Sequence, residues 1–365
     1  MMIQSEHKRI PAGAGVALLA AALFGASTPL SKLLVGEVRP VLSAGLLYLG
    51  SGIGLSIVML IRGKCRIDAQ LARKDAPWLA SAVLFGGVLG PVLLMTGLRH
   101  TPGSSASLLL NLEGVFTALL AWFIFHENFD RRIALGMFLI VAGGTILSWQ
   151  GSRLSGIPWG SLAIVAACLC WSIDNNLTQK VSACDPFQIA AIKGAAAGAV
   201  NMAIGLAQGA HLPRVTILVG ALFVGFAGYG LSLALFVLAL RHIGTARTGA
   251  YFSTAPFVGA MLSLLFLREP IGSGFLLAGA LMAAGVWLHV SERHSHEHTH
   301  ERMEHSHRHV HDEHHQHEHA PGVDTNEPHT HAHIHEPLTH AHPHYPDIHH
   351  RHRHEHAAKS HDRDG

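Results

Sequence analysis

Residues 99–127 read RHTPGSSASLLLNLEGVFTALLAWFIFHE, and residues 241–269 read RHIGTARTGAYFSTAPFVGAMLSLLFLRE. Aligned without a gap, the two stretches share Arg99/Arg241, His100/His242, Ala118/Ala260, Leu120/Leu262 and Glu127/Glu269. Each opens on a basic residue and small side chains, runs apolar for about the thickness of a bilayer and closes on glutamate. Chance likeness between two apolar helices would not hold the polar end markers in step. The chain therefore reads as two similar halves. Many transporters are built on that plan, with the solute site where the halves meet.

Outward from this pair, the chain divides by composition. Up to His289 it is a train of apolar segments rich in Leu, Ala, Gly and Val, and from Ser291 onward it is almost entirely polar. The length would suit two or three soluble domains, but the apolar train excludes them. A formal charge of +2 averages two unlike regions and gives no reason to expect a nucleic-acid partner. Cys65, Cys168, Cys170 and Cys184 show no C-x-x-C spacing and no disulfide framework. The first apolar stretch follows Lys8 and Arg9 as a signal peptide would, but it is too long for one and reads as a retained helix.

Ten apolar stretches of spanning length lie near 11–34, 41–61, 77–98, 102–125, 132–149, 157–178, 186–207, 214–239, 243–267 and 271–289. The expected fold is all-α: a polytopic membrane protein with halves at 1–150 and 151–290 and a tail at 291–365. Small residues inside the stretches let helices approach closely in lipid. Pro29, Pro91 and Pro256 can each free a carbonyl and kink a helix.

Lys and Arg set the orientation. Lys8 and Arg9, the loop carrying Arg62, Lys64, Arg66, Arg73 and Lys74, and the loop with Arg131 and Arg132 alternate with poorer loops holding Arg39, Arg99, Arg153, Arg214 and Arg268. Both termini are thus expected in the cytoplasm, with the protein multi-pass in the cell inner (plasma) membrane. Five helices per half is an odd number, so the second half enters the membrane upside down as an inverted repeat.

With this pattern the chain resembles the drug/metabolite transporter superfamily, specifically its EamA-type exporters, over about residues 11–289. In that family the first helix of each half carries a Trp-Gly-like pair and then a Lys. Here these are Phe24-Gly25 with Lys32, and Trp171-Ser172 with Lys180. The fourth helix of each half carries a mid-helix Pro and a terminal Glu. The second half keeps Pro256 and Glu269, while the first keeps Glu127 but reads Glu113-Gly114 where Pro is expected. The resemblance implies ten helices in two five-helix repeats and an exporter of small metabolites, not an enzyme.

Ionisable groups in the bilayer core are costly and are functional candidates, with a structural pair as the alternative. Glu113 falls mid-span near Asn111 and Thr117, Asp174, Asn175 and Asn176 toward the end of the sixth stretch, Lys193 in the seventh and Lys32 near the end of the first. Glu113 could carry a proton, bind a cation, or pair with Lys193 or Lys32. Lys32 and Lys180 could equally be snorkelling anchors. Cys170 and Asp174, four apart on one helix face, could offer one soft and one hard metal ligand, though a buried inert cysteine is the plainer reading. Trp78, Trp122, Trp149, Trp159 and Trp287 near helix ends suit an interfacial belt.

The tail repeats H-x-H in five runs. They are His294, His296, His298 and His300; then His305, His307, His309 and His311; then His329, His331, His333 and His335; then His340, His342 and His344; and last His352, His354 and His356. Interleaved acids, five prolines and the lack of apolar residues predict disorder. Imidazole suits Zn, Ni, Co and Cu, so a bound divalent transition metal is expected on the tail, with the first four runs as its ligands, while no cofactor is required. A solubilising tail that gains charge at low pH is the alternative.

Three functions follow: a carrier of an organic solute with an accessory tail, a dedicated divalent metal exporter fed by the tail, or a membrane-tethered metal buffer or sensor. The last needs neither two halves nor buried charge, and no paired intramembrane His favours the second. The sequence thus predicts a non-ATP secondary carrier of the drug/metabolite type, exporting a small-molecule or ion solute across the lipid bilayer. It carries no Walker A motif. A homodimer is compatible with it.

Overall fold

The computed structural model describes residues 12–62, 76–125, 131–150, 158–179 and 186–290, and in the tail 294–300, 303–309, 329–335 and 338–344. The residues Met1–Glu292 form one compact unit and Arg293–Gly365 a second. Every regular element described in the first unit is helical. That is the form an apolar chain must take in lipid, where each backbone N–H and C=O has to be paired within its own segment.

The helices are α1 (Ala12–Leu34), α2 (Pro40–Arg62), α3 (Ala76–Ala82), α4 (Gly90–His100), α5 (Gly103–Leu109), α6 (Leu112–Phe125), α7 (Arg131–Gln150), α8 (Trp159–Gln179), α9 (Pro186–Ala207), α10 (Val215–Val224), α11 (Ser232–Phe252), α12 (Ala255–Leu267) and α13 (Ser273–Val290). Eight helical runs are long and apolar enough to cross a membrane, while Ala255–Leu267 and Ser273–Leu288 are apolar but shorter. The ninth stretch expected from sequence is divided: its first part continues α11, and α12 begins only after Ser253 and Thr254.

Two irregularities recur in the copies, the first at the spacing that separates Arg99 from Arg241 and the second at a spacing one residue longer. π-Helical turns at Val83–Leu89 and Gly225–Leu231 join α3 to α4 and α10 to α11. Breaks at Leu110–Asn111 and at Ser253–Thr254 divide α5 from α6 and α11 from α12. The copies differ where residue chemistry differs. Pro102 disfavours helix at Thr101, whose ψ of 137° is extended, and the first copy breaks there. The second copy has Gly244 at the equivalent place, and α11 runs on. Pro256 lies in the first turn of α12, where its missing N–H costs nothing, rather than kinking a continuous helix as the sequence suggests.

The copies interleave. Helices α2 and α9 form the largest contact and run antiparallel: Gly45 lies against Met202, Gly198 against Leu49, and Gly52 against Gly194. A Cβ on Gly194 would sit 2.6 Å from the backbone nitrogen of Gly52. Small residues here let the backbones touch, which is how helices gain packing energy in lipid. Leu47, Leu94, Met95, Leu98, Leu109, Ile140 and Met282 fill the interior. Leu60, Ile61, Phe138, Phe223 and Phe266 face outward, each at least 66 % exposed, as a surface wetted by acyl chains requires. The five tryptophans singled out above are all exposed.

In the second unit, β1 (His294–His300) pairs antiparallel with β4 (Leu338–His344), and β2 (Met303–His309) with β3 (His329–His335). These strands depart from the disorder expected of the tail, and from an all-α chain. Nearly every metal-ligand candidate of the tail lies on these strands. His294, His296, His298 and His300 lie on β1, His305, His307 and His309 on β2, His329, His331, His333 and His335 on β3, and His340, His342 and His344 on β4. The physical reason is the H-x-H period of two, which matches a strand. The register sets histidine against histidine at His294↔His344, His296↔His342 and His298↔His340, and again at His305↔His333, His307↔His331 and His309↔His329. His300 stands opposite Leu338 and His335 opposite Met303. His311 and residues 352–356 lie outside the described residues.

Candidate functional site

The break before α6 puts Glu113 in the first turn of a half-helix, where free amides and the helix dipole favour negative charge. Its Oε1 accepts from Asn175 Nδ2 at 2.9 Å. Its backbone carbonyl accepts from Ser172 Oγ, also at 2.9 Å. Both donors lie on α8, so the broken helix of one half is tied to the first helix of the other.

On the same turn of α8, Asp174 accepts at both carboxylate oxygens from Lys193 Nζ of α9, at 2.6 and 2.7 Å, and Lys193 Nζ reaches Thr178 Oγ1 at 3.2 Å. Thr178 Oγ1 donates to Asp174 Oδ1 at 2.9 Å. The pair is largely buried, with side-chain exposures of 14 % for Lys193 and 10 % for Asp174. Lys193 is therefore the partner of Asp174 and not of Glu113. The sequence offers Lys193 and Lys32 as partners for Glu113, and the geometry places neither there.

Lys32 closes the end of α4 instead. Its Nζ donates to the carbonyls of Leu98 and of Thr101, the latter at 2.8 Å. Those carbonyls are left free where Pro102 ends the helix, so Lys32 replaces the missing amides. Glu269 does the converse at the start of α5: Oε1 accepts from Gly103 N at 2.6 Å, and Oε2 from Ser104 N at 2.8 Å and Ser104 Oγ at 2.5 Å. Arg268 takes a left-handed conformation (φ 50°) just before it, at the C-cap of α12. The glutamate that closes the repeat thus caps a helix of the other copy. Glu127 and Lys180 lie outside the described residues. Asn111 serves its own break, with Nδ2 donating to Leu108 O at 2.9 Å.

Of the candidates from sequence, the structure groups Asp174, Asn175, Lys193 and Glu113 on and around α8. It leaves Asn111, Lys32 and Pro256 at helix ends. Residues not foreseen complete the setting. Pro91 has no N–H, so carbonyls one turn before it, in the first π-helical turn, lack an amide. Gly86 O accepts from Tyr48 OH at 2.6 Å and from Trp171 Nε1 at 2.9 Å, and Gly87 O accepts from Asn201 Nδ2 at 3.0 Å. The signal is present as Gly86-Gly87 placed one turn before a proline, but its donors come from three other helices. Asp174 is taken up by Lys193 and Thr178, so it makes no metal pair with Cys170. Among the described residues no group of three or more His, Cys, Asp or Glu is placed to hold a metal.

Long apolar helices, breaks matched between the copies and a polar group between the halves define a multi-pass membrane protein of the transporter class. The chain belongs to the EamA-like transporter family, whose model matches it twice, over residues 11–149 and 158–291. It is 31% identical over 288 residues to an uncharacterized transporter of Methanothermobacter thermautotrophicus, covering 74% of this chain and 84% of that one. It is 24% identical over 251 residues to the uncharacterized inner membrane transporter YedA of Escherichia coli K12, covering 66% of this chain and 78% of that one. A shorter relative is the probable 4-amino-4-deoxy-L-arabinose-phosphoundecaprenol flippase subunit ArnE of Pseudomonas fluorescens, 34% identical over 107 residues that cover 29% of this chain and 91% of ArnE. A solved crystal structure shares the fold with a TM-score of 0.56 at 16% identity, over 76% of this chain and 95% of that one.

Removing one partner of the Lys193–Asp174 pair strands a buried charge, at a cost of about 3–5 kcal/mol. Lys193→Ala is expected to lower the unfolding temperature in detergent sharply, and Lys193→Ala with Asp174→Ala to recover much of the loss. Additive losses in this double-mutant cycle would show that the two charges do not hold each other.

Proposed function

We propose that the protein is a secondary carrier of the drug/metabolite type that exports a small solute without ATP. In this reading ten helices cross the membrane as two inverted five-helix repeats, the shorter α12 and α13 included, with both termini cytoplasmic. The observation that carries it is the pair of breaks at equivalent places, one of them presenting Glu113 to Asn175 of the opposite half. Interrupted helices that meet at a repeat interface are where carriers bind solutes. The repeated π-helical turns and the antiparallel α2–α9 crossing are what an inverted repeat would produce.

Glu113 is the solute- or proton-handling group of this path, with Asn175, Asp174 and Lys193 beside it. Asn111 and Pro256 line the two breaks, and Lys32 steadies the end of α4. Glu113 has no cationic partner among the described residues, so it is free to exchange a proton or a ligand. The organic-solute reading stands ahead of a dedicated metal exporter because the described core offers no three-ligand group.

The tail is a cytoplasmic binder of Zn, Ni, Co or Cu, accessory to transport. Imidazoles in number give capacity rather than selectivity, so affinity follows the general order for divalent metals.

Glu113→Gln is expected to abolish or greatly reduce export at normal membrane insertion, and Glu127→Gln to leave it near wild type. Growth of deletion and overexpression strains on metals and on toxic amino-acid, nucleoside and sugar analogues identifies the solute, and efflux of that solute measures the variants. Normal efflux by Glu113→Gln would remove its role.

The chain ending at His289 is expected to transport as the full chain does and to lose its metal equivalents. In calorimetry with Ni²⁺, the full chain should bind several ions at about pH 7.5. It should release them as pH falls below about 6.5, since protons compete for the imidazole nitrogens. Equal metal binding by the two chains would refute the tail's role.

A further inference from the structure

The two π-helical turns are held unequally, and the inequality lies in the side chains that pack on them. Aligning Trp171-Ser172 with Phe24-Gly25 matches Asp174 to Ser27 and Thr178 to Ser31. Lys193 joins the first set from α9; on the other side, α2 packs on the second turn and sets Ser51 against Gly230. Each trio packs on the π-helical turn of the other copy. Asp174 lies so close to Gly86 that any Cβ there would overlap its carboxylate. Gly228, the counterpart of Gly86, lies against Ser27, where a Cβ would stand 2.5 Å from the serine Cβ, and Ser51 Oγ lies 3.2 Å from the corresponding point on Gly230.

The first trio is an ion pair with a bridging hydroxyl, and the second consists of three neutral serines, all buried. The further ties differ in the same sense. Gly86 O receives Trp171 Nε1. Phe24, the counterpart of Trp171, has no donor and makes only ring contacts, with Tyr229 at 6.1 Å and with Phe252 at 5.5 Å. Charge-assisted hydrogen bonds are roughly twice as strong as neutral ones, more so away from water.

We propose that the Asp174–Thr178–Lys193 trio is an ionic latch on one of two equivalent gates, and that the serine trio leaves the other gate unlatched. This rests on the carrier reading above. With both termini cytoplasmic, α8 ends and α9 begins on the cytoplasmic side, so the latch closes the cytoplasmic half of the path. The carrier then rests open to the exterior side, and opening inward requires the ion pair to part. Two halves of the same helical plan thus have different opening costs because the side chains packed on their π-helical turns differ.

Hydrogen exchange followed by mass spectrometry, on the full-length protein in lipid nanodiscs, reads this without any known solute. In the wild type, amides of 83–89 should exchange at least about tenfold more slowly than those of 225–231, because local opening sets the exchange rate. Asp174→Ser with Lys193→Ser, which removes both charges together, should bring 83–89 to the rate of 225–231. Ser27→Asp with Ser51→Lys should slow 225–231 toward the rate of 83–89. Amides of α7 and α13, which pack on each other away from both trios, report that each variant is folded. Equal exchange of the two turns in the wild type would overturn the latch. So would an unchanged rate at 83–89 in the neutral variant with α7 and α13 intact. If the neutral variant does not fold, the serine-to-charge variant decides, and an unchanged 225–231 in it overturns the proposal. Absence of transport with the exchange pattern as expected would count against the carrier reading and leave the latch standing.

Discussion

No water reaches the middle of a bilayer, so a carbonyl or amide released from a helix there must find a protein partner or cost several kcal/mol. Several polar residues of the helical unit are explained by that constraint. The π-helical turn before Pro91 frees carbonyls that Tyr48, Trp171 and Asn201 satisfy. The stop at Pro102 frees carbonyls that Lys32 satisfies and amides that Glu269 satisfies. Each of these donors or acceptors comes from another part of the chain. The irregular backbone and the assembly of the two copies therefore depend on one another.

Once those groups are accounted for, little ionisable chemistry remains in the described core. Asp174 and Lys193 neutralise each other, and Glu113 is left with an amide donor alone. A carboxylate without a cation, in the first turn of an interrupted helix, is a group the fold does not need for its own stability. That gives Glu113 a stronger claim to function than its mid-span position in the sequence could.

Much of the fold is legible in the sequence, because helix length and apolar composition are local properties. The doubled stretch ending in Glu127 and Glu269 reads as two copies, and the family model matches twice, over 11–149 and 158–291. Partnerships are less legible, since they depend on which helices cross. Charge alone would join Lys193 to Glu113, whereas the turn of α8 brings Asp174 to it. Lys32 reads as an anchor or a path residue, and it caps a helix whose end is set by Pro102. The π-helical turns leave no periodicity signal, because one added residue in a wholly apolar helix does not shift a polar stripe. The tail shows the opposite failure. Composition predicts disorder, while the alternation that spaces His298 and His333 from their neighbours carries a strand period.

The central claim is that the second copy enters the membrane inverted relative to the first, so that the recurring breaks and π-helical turns face each other across the path. Topology mapping tests it most directly, with compartment-sensitive reporters fused after Gly151, between the copies, and after His289, beyond the second. Inverted copies of five helices predict an exterior reporter at Gly151 and a cytoplasmic one at His289. Reporters on the same side of the membrane at Gly151 and at the N-terminus would mean an even number of crossings in the first copy, and would contradict the account.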